Sequence, residues 1–395
     1  MDNQSQPHRA KQRRAPLGGT RSWIIIGLLL IIIGSGAVGM IVHFHHESQA
    51  THPVKTVSSK KHTDTVKLAK PLHLTNTKAQ QAMVIDAQTG QVLGTKNAHQ
   101  QVGIASESKM LTAYAVLKAI KTKRITWNTE VPITKQSDWS HKDSNVYAHL
   151  DVHEGEKLPV RTLFNAMYTL SANDAAFALA DFMKPKNLTQ QQALTKWAQE
   201  LNLNGSKWLN AAGQLNKNAG DYEVKQQHPD AENMASVTQI AKIAYRNLQM
   251  GPELHEDYHE LDFVYQPMPH DSKALETELS RFQKGVKPHL NNPLNLSFKN
   301  FKTGSSPKYG GGISALMQTP DGHEFIVVVD GAGSYISRFP RFQESVNALT
   351  EVLQRKQPIS FKKNQRVQQL YTIDEPQAHV ETIKKPTVYW NDKLN

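Results

Sequence analysis

The sequence predicts an α/β (α+β) domain: an antiparallel sheet flanked by helices, with a helical lobe inserted, behind one N-terminal transmembrane helix. Three observations predict it. Strand-like runs lie at both ends of the globular part, near residues 82–93 and 313–329. Helical periodicity fills the stretch between them. A run of 21 residues, 22–42, carries no charge. Strands at both ends with helices between imply one sheet built from distant segments.

Residues 22–42 include Trp23, Ile24, Leu28, Leu29, Leu30 and Ile31, and the run is long enough to span a bilayer. Arg9, Lys11, Arg13, Arg14 and Arg21 precede it. The positive-inside rule keeps such a flank in the cytoplasm and exports the chain beyond the span. The expected location is therefore the cell membrane, single-pass, with the globular part outside. A cleaved signal peptide is the alternative, with Ser35-Gly36-Ala37 as the small-residue site, and would give a secreted protein. Residues 43–75 are polar and read as a flexible linker. The expected organisation is thus a basic tail 1–21, an anchor 22–42, a linker 43–75, a globular domain 76–355 and a C-terminal tail 356–395.

Within the domain, Met83-Val84-Ile85 and Val92-Leu93 flank Thr89-Gly90 and read as a hairpin. Residues 106–120 read as a helix with Met110, Leu111, Tyr114 and Leu117 on one face. Further helices are expected at 160–170 and 174–183, with a short polar break between them. Val237, Ile240, Ala241, Ala244 and Leu248 mark another. Strands at 313–317 and 324–329 are joined by Pro320-Asp321-Gly322, and a last helix covers about 342–353.

Composition excludes several functions. There is no cysteine, so disulfides, thiol catalysis and cysteine-ligated metals are absent. The formal charge of +11 raises a nucleic-acid reading. The basic residues are dispersed, however, and neither zinc-finger spacing nor an aromatic RNA-binding signature occurs, so no nucleic acid is expected. Such a charge also suits an anionic cell envelope. His255-Glu256-Asp257-Tyr258-His259 fits the zinc pattern H-E-x-x-H. Pro252 lies just upstream and no third ligand is evident, so no metal is expected there, nor at His43, His45 and His46.

Three motifs carry chemistry in one order: Ser106-Glu107-Ser108-Lys109 (S-x-x-K), Ser171-Ala172-Asn173 (S-x-N) and Lys302-Thr303-Gly304 (K-T-G). Residues three apart share a helix face, so Lys109 can reach the Ser106 hydroxyl. A serine is a poor nucleophile until a base takes its proton. A lysine serves if desolvation or a second cation, here Lys302, lowers its pKa. Ser171 and Asn173 fall in the break between two helices, where Ser171 can relay a proton and Asn173 hold an amide. Lys302-Thr303-Gly304 precedes a Gly-rich stretch and a strand, and Gly304 lets a substrate backbone approach. The amides of Ser305 and Ser106 are candidates for an oxyanion hole.

Together these motifs match the penicillin-interacting serine enzymes. Asp86-Ala87-Gln88-Thr89-Gly90-Gln91-Val92-Leu93, residues 104–114 and 171–181, and Leu209-Asn210-Ala211-Ala212-Gly213 resemble the D-alanyl-D-alanine carboxypeptidase family from about residue 75 to 355. The resemblance implies a serine β-lactamase/transpeptidase-like fold, no cofactor, and β-lactam antibiotics as inhibitors. It implies that Ser106 attacks the peptide bond between two D-alanines of a peptidoglycan stem peptide. It also implies that Lys302 and Thr303 bind the terminal carboxylate beside an arginine, with Arg341 the candidate and Arg338 the runner-up. Asn300 replaces the usual glycine of G-x-K-T-G, and Ser108, Ser305 and Ser306 are uncommon choices. Many members add a β domain and an amphipathic membrane helix, for which only about 40 residues remain here. Two rivals stay open. A class A β-lactamase would use Glu200 of Glu200-Leu201-Asn202-Leu203-Asn204, and a silent homologue would only bind wall peptides.

Overall fold

The computed structural model describes residues 55–56, 65–150, 152–254 and 277–393. The expected membrane span and the H-E-x-x-H segment lie outside these residues. No helix among the described residues is long and apolar enough to cross a membrane.

A six-stranded sheet forms the centre. Its strands are β1 (Leu72–His73), β2 (Gln81–Asp86), β3 (Val92–Lys96), β4 (Ser297–Ser306), β5 (Gly310–Gln318) and β6 (Glu324–Asp330), in the spatial order β4-β5-β6-β2-β3-β1. All neighbours are antiparallel except the short edge pair β1–β3. Both ends of the domain thus supply the sheet, and Val84 pairs with Val327.

The sheet is covered on both faces, which explains its unbroken apolar runs. Side chains alternate across a strand. Met83 and Ile85 of β2, with Ile326 and Val328 of β6, enter the larger core. That core is shared with helices α1 (Lys109–Lys121) and α5 (Val237–Met250). Ala82, Val84, Phe325, Val327 and Val329 enter a second core. There they meet Phe342, Val346, Leu349 and Val352 of helix α7 (Phe339–Arg355).

The inserted lobe is helical, as expected. It holds α2 (Val160–Asn165), continued by a π-turn at Ala166–Leu170, then α3 (Asn173–Met183) and α4 (Gln190–Glu200). Thr189 caps α4 through a capping box with Gln192. Phe177 stacks on Tyr222 at 4.2 Å, and the Tyr222 hydroxyl donates to Asp181 at 2.6 Å. A short helix, α6 (Glu278–Gly285), precedes β4.

The expected tail, where residues 367–373 read as strand-like, and the expected linker carry more structure than periodicity indicated. Residues 356–393 hold β7 (Lys356–Phe361), β8 (Arg366–Leu370), β9 (His379–Thr382) and β10 (Thr387–Asp392). Lys55–Thr56 pairs parallel with β7, and Thr65–Lys67 with β8. Leu68, Ile359, Phe361, Val367, Leu370 and Tyr389 make a small core of their own. Trp390 docks this unit on the main sheet. Its Nε1 donates to Asp86 Oδ2 at 3.0 Å, and its backbone exchanges two hydrogen bonds with the Gln91 side-chain amide. These strands read as polar because only alternate residues face so small a core.

Candidate active site

The three motifs converge on one cleft of about 460 Å³, lined by Ser106, Ser171, Asn173, Thr303, Ser305 and Arg341 among others. Each motif is positioned by a different element.

Ser106 lies on a 3-10 turn, Ala105–Ser108, that runs directly into α1. Ala105 adopts φ +43°, a left-handed conformation that non-glycine residues rarely hold. Gly213 packs against this point, and a methyl group there would collide with the Ala105 carbonyl. Ser108, an uncommon residue for the motif, accepts a hydrogen bond from Asn233 Nδ2 at 2.9 Å. Asn233 Oδ1 in turn accepts from the Leu209 amide at 2.7 Å. Asn233 therefore fastens the nucleophile turn to the Asn210–Gly213 loop. It lies 125 residues from Ser108, so no local pattern betrays it.

Lys109 is fully buried. Its Nζ donates to Ser106 Oγ at 3.0 Å, Asn173 Oδ1 at 2.9 Å and the Ala212 carbonyl at 2.8 Å. Burial, then the neighbouring charge of Lys302, holds its pKa well below the usual lysine value, against the pull of Asp174 and Glu278. A lysine so held can lose its proton and act as a base.

Ser171 ends the π-turn with φ +60°, again left-handed, and this turns its hydroxyl into the cleft. It accepts from Lys302 Nζ at 2.9 Å. Asn173 opens α3, and its Oδ1 is shared by Lys109 and Gln214 Nε2.

Lys302, Thr303 and Gly304 precede the Gly310–Gly312 stretch and β5 as expected, and they themselves lie within β4, a strand the sequence did not reveal. β4 is an outer strand, so one of its backbone edges faces the nucleophile turn instead of another strand. That edge is where an extended substrate can add its own backbone. Gly304 passes so close to the turn that a methyl group would meet the Ile104 carbonyl. Burial lowers the Lys302 pKa to about 8, with Glu278 and Glu107 opposing and Arg341 assisting. Asn300, in the place of the family's glycine, sits at a β-bulge, and its Nδ2 donates to the Leu254 carbonyl at 3.4 Å.

The two arginine candidates separate clearly. Arg341 lines the cleft but is only 2% exposed; its guanidinium donates to the Gly304 carbonyl at 2.6 Å and to Ser305 Oγ at 3.0 Å, which hold it against β4. Arg338 lies at the rim, paired with Glu278 at 3.0 Å. Glu278 is a cleft residue that sequence reading did not single out. Its Oε2 accepts from Thr303 Oγ1 at 3.3 Å, so a carboxylate already faces the hydroxyl expected to bind a substrate carboxylate. Burial raises its pKa, but Arg338, Lys302 and Arg281 outweigh burial and keep it below the usual value.

Glu200, the residue a lactamase would need, pairs with Lys118 at 2.7 Å at the solvent-exposed end of α4 and does not line the cleft. Among the described residues no cluster of histidine and carboxylate could hold a metal ion.

Residues 65–332 match the peptidase family S11 model, D-alanyl-D-alanine carboxypeptidase. The chain is 33% identical over 124 residues to the D-alanyl-D-alanine carboxypeptidase DacD of Escherichia coli (strain K12), covering 31% of each. It is 24% identical over 263 residues to DacA of Haemophilus influenzae, covering 66% of this chain and 58% of that one. The chain thus spans about a third of the length of the first curated relatives it matches. In fold it resembles a peptidoglycan synthesis regulatory factor (PBP3) from Streptococcus pneumoniae: TM-score 0.63, 20% identity, covering 81% of this chain and 85% of that one. It also resembles DacD from Francisella tularensis: TM-score 0.59, 18% identity, covering 82% and 83%. With the matched model extending over most of the chain, this protein belongs to the D-alanyl-D-alanine carboxypeptidase family.

Proposed function

We propose that the protein is a serine-type carboxypeptidase that removes the terminal D-alanine from peptidoglycan stem peptides. The observation that carries this reading is the contact of Lys109 Nζ with Ser106 Oγ at 3.0 Å, made by a buried lysine of depressed pKa. Lys109 takes the Ser106 proton as Oγ attacks the carbonyl carbon of the penultimate D-alanine. The amides of Ser106 and Ser305 receive the charge that develops on the carbonyl oxygen. Ser171, backed by the Lys302 ammonium, relays the proton that Lys109 took from Ser106 to the leaving nitrogen; D-alanine departs and Lys109 is neutral again. Water then attacks the acyl-enzyme, with Lys109 again as base, and frees Ser106. Thr303 and Lys302 bind the substrate carboxylate beside Arg341, which its hydrogen bonds to Gly304 and Ser305 hold against β4. β-Lactams would acylate Ser106 by the same route.

The apolar, uncharged run at 22–42 supports an anchored protein whose catalytic domain lies outside the cytoplasm. The test is intact-protein mass after incubation with benzylpenicillin. An adduct that vanishes in Ser106→Ala, followed by D-alanine release from a wall pentapeptide, is the expected result. No adduct with the drug left intact would refute the catalytic reading.

A further inference from the structure

Glu107 stands next to the nucleophile, and the acylation chemistry gives it no task. It is fully buried, and neither carboxyl oxygen accepts a hydrogen bond from a backbone amide, hydroxyl or basic side chain. Asp330, the last residue of β6, is 3% exposed, and its Oδ2 is likewise without such a donor. The two carboxyls meet over β5. A methyl group at Gly312 would strike Asp330 Oδ1 and lie 2.6 Å from Glu107 Oε2. One at Gly304 of K-T-G would lie 3.0 Å from Glu107 Oε2. Glycine at both positions makes room for the Glu107 side chain between the nucleophile turn and the sheet.

Two carboxyls in one dry pocket do not both ionise, and a single proton between them makes a strong hydrogen bond. The charged groups that face the pair are Lys302 from β4 and Arg341 from α7. Glu278 on α6 bears on those two cations. Burial first, then the charge of Asp330, pushes Glu107 well above the usual carboxylate value. Asp330 rises only to about 6, because burial is opposed by its hydrogen bond to Glu107 and by Arg341. One proton is therefore shared by the Glu107–Asp330 pair.

We propose that Glu107 is a positioning residue: its carboxylic acid donates to the Asp330 carboxylate and clamps the turn carrying Ser106 onto β5 and β6. A glutamate inside S-x-x-K is thereby a structural proton donor that keeps the nucleophile in register with K-T-G. Loss of that proton sets two like charges against each other and loosens the turn.

The proposal rests on Ser106 being the acylated residue, and the experiment separates the two. Acylation by benzylpenicillin is followed by intact mass from pH 6 to 9.5 for wild type, Glu107→Gln, Glu107→Ala and Asp330→Asn, with a melting curve at each pH. Glutamine still donates to Asp330 but cannot ionise, so Glu107→Gln is expected within about twofold of wild type at pH 7. Glu107→Ala is expected to be at least about tenfold slower. The sign of the pH effect is fixed. A carboxyl whose native pKa is raised gives stability that is lost as pH rises through that value. Wild type should lose melting temperature and acylation on the alkaline side where Glu107→Gln does not. Removing the Asp330 charge should bring that loss to lower pH. Glu107→Gln as slow as Glu107→Ala would overturn the clamp, as would Glu107→Ala matching wild type. Parallel melting profiles for wild type and Glu107→Gln would overturn it even if nothing is acylated. If Glu107→Ala does not fold, an unshifted profile in Asp330→Asn serves the same end.

Discussion

Lys302 donates to the hydroxyl of Ser171 across 2.9 Å and so joins the sheet to the helical lobe at the floor of the cleft. Lys109 makes the matching contact with Ser106. Each lysine thus serves one serine, and the charge of Lys302 helps to depress the Lys109 pKa. Ser171→Ala leaves Lys302 without that acceptor and removes the proton relay. Acylation by benzylpenicillin should fall by about a hundredfold, the scale of a lost general acid. Stopped-flow acylation rates, with circular dichroism as a check on folding, measure it.

The two lysines also set the pH profile. Lys109 must be neutral to accept a proton, so acylation rises with pH as it deprotonates. Lys302 must be charged to hold a carboxylate, so acylation should fall above about pH 8. Lys302→Met removes one of the forces that depress Lys109. The Lys109 pKa then rises, and the ascending limb of the residual activity should move to higher pH. A limb that stays in place would separate the two lysines electrostatically.

Glu278 competes for the place assigned to the substrate carboxylate. Replacing it with glutamine removes the negative charge facing Thr303 and Arg338. The second-order acylation rate constant for an anionic β-lactam should rise roughly threefold to tenfold, the scale of one partly exposed ion pair. A comparison of KM with kcat on a peptide substrate should place the change in KM. A slower enzyme would instead make Glu278 part of substrate binding.

Trp390→Ala should cost about 3–5 kcal/mol, the range for truncating a buried tryptophan. The side chain is 4% exposed, packs on Phe325 at 5.0 Å and supplies a hydrogen bond to buried Asp86. Urea unfolding monitored by fluorescence measures the loss. Acylation in the fraction still folded should persist, since the contact lies on the β2–β3 side of the sheet.

Sequence reading located what is local. Helix and strand periodicity found β2, β3, β5, β6, α1, α3, α5 and α7, because each carries its own apolar face. The S-x-x-K spacing sufficed to put Lys109 against Ser106, since one turn of backbone brings them together. Asn233, Glu278 and the Glu107–Asp330 pair were not legible, because each acts through a residue far along the chain. The strand at 297–306 was missed because Phe298, Lys299, Asn300 and Phe301 pass through a bulge that breaks the alternation. The left-handed backbone of Ala105 and Ser171 left no mark either, since neither residue type advertises it.

The pairing of Val84 with Val327, and of Lys55–Thr56 with β7, has a consequence for how the chain is made. Synthesis delivers β2 and β3 early, but β6, the strand that must lie beside β2, arrives only after the whole helical lobe. Until β6 emerges, the edge of β2 that faces it has no strand to bond and is open to foreign strands. Such long-range closure raises the contact order and slows folding relative to a fold built from local contacts. The β2 edge therefore stays open until the chain has been delivered through Asp330.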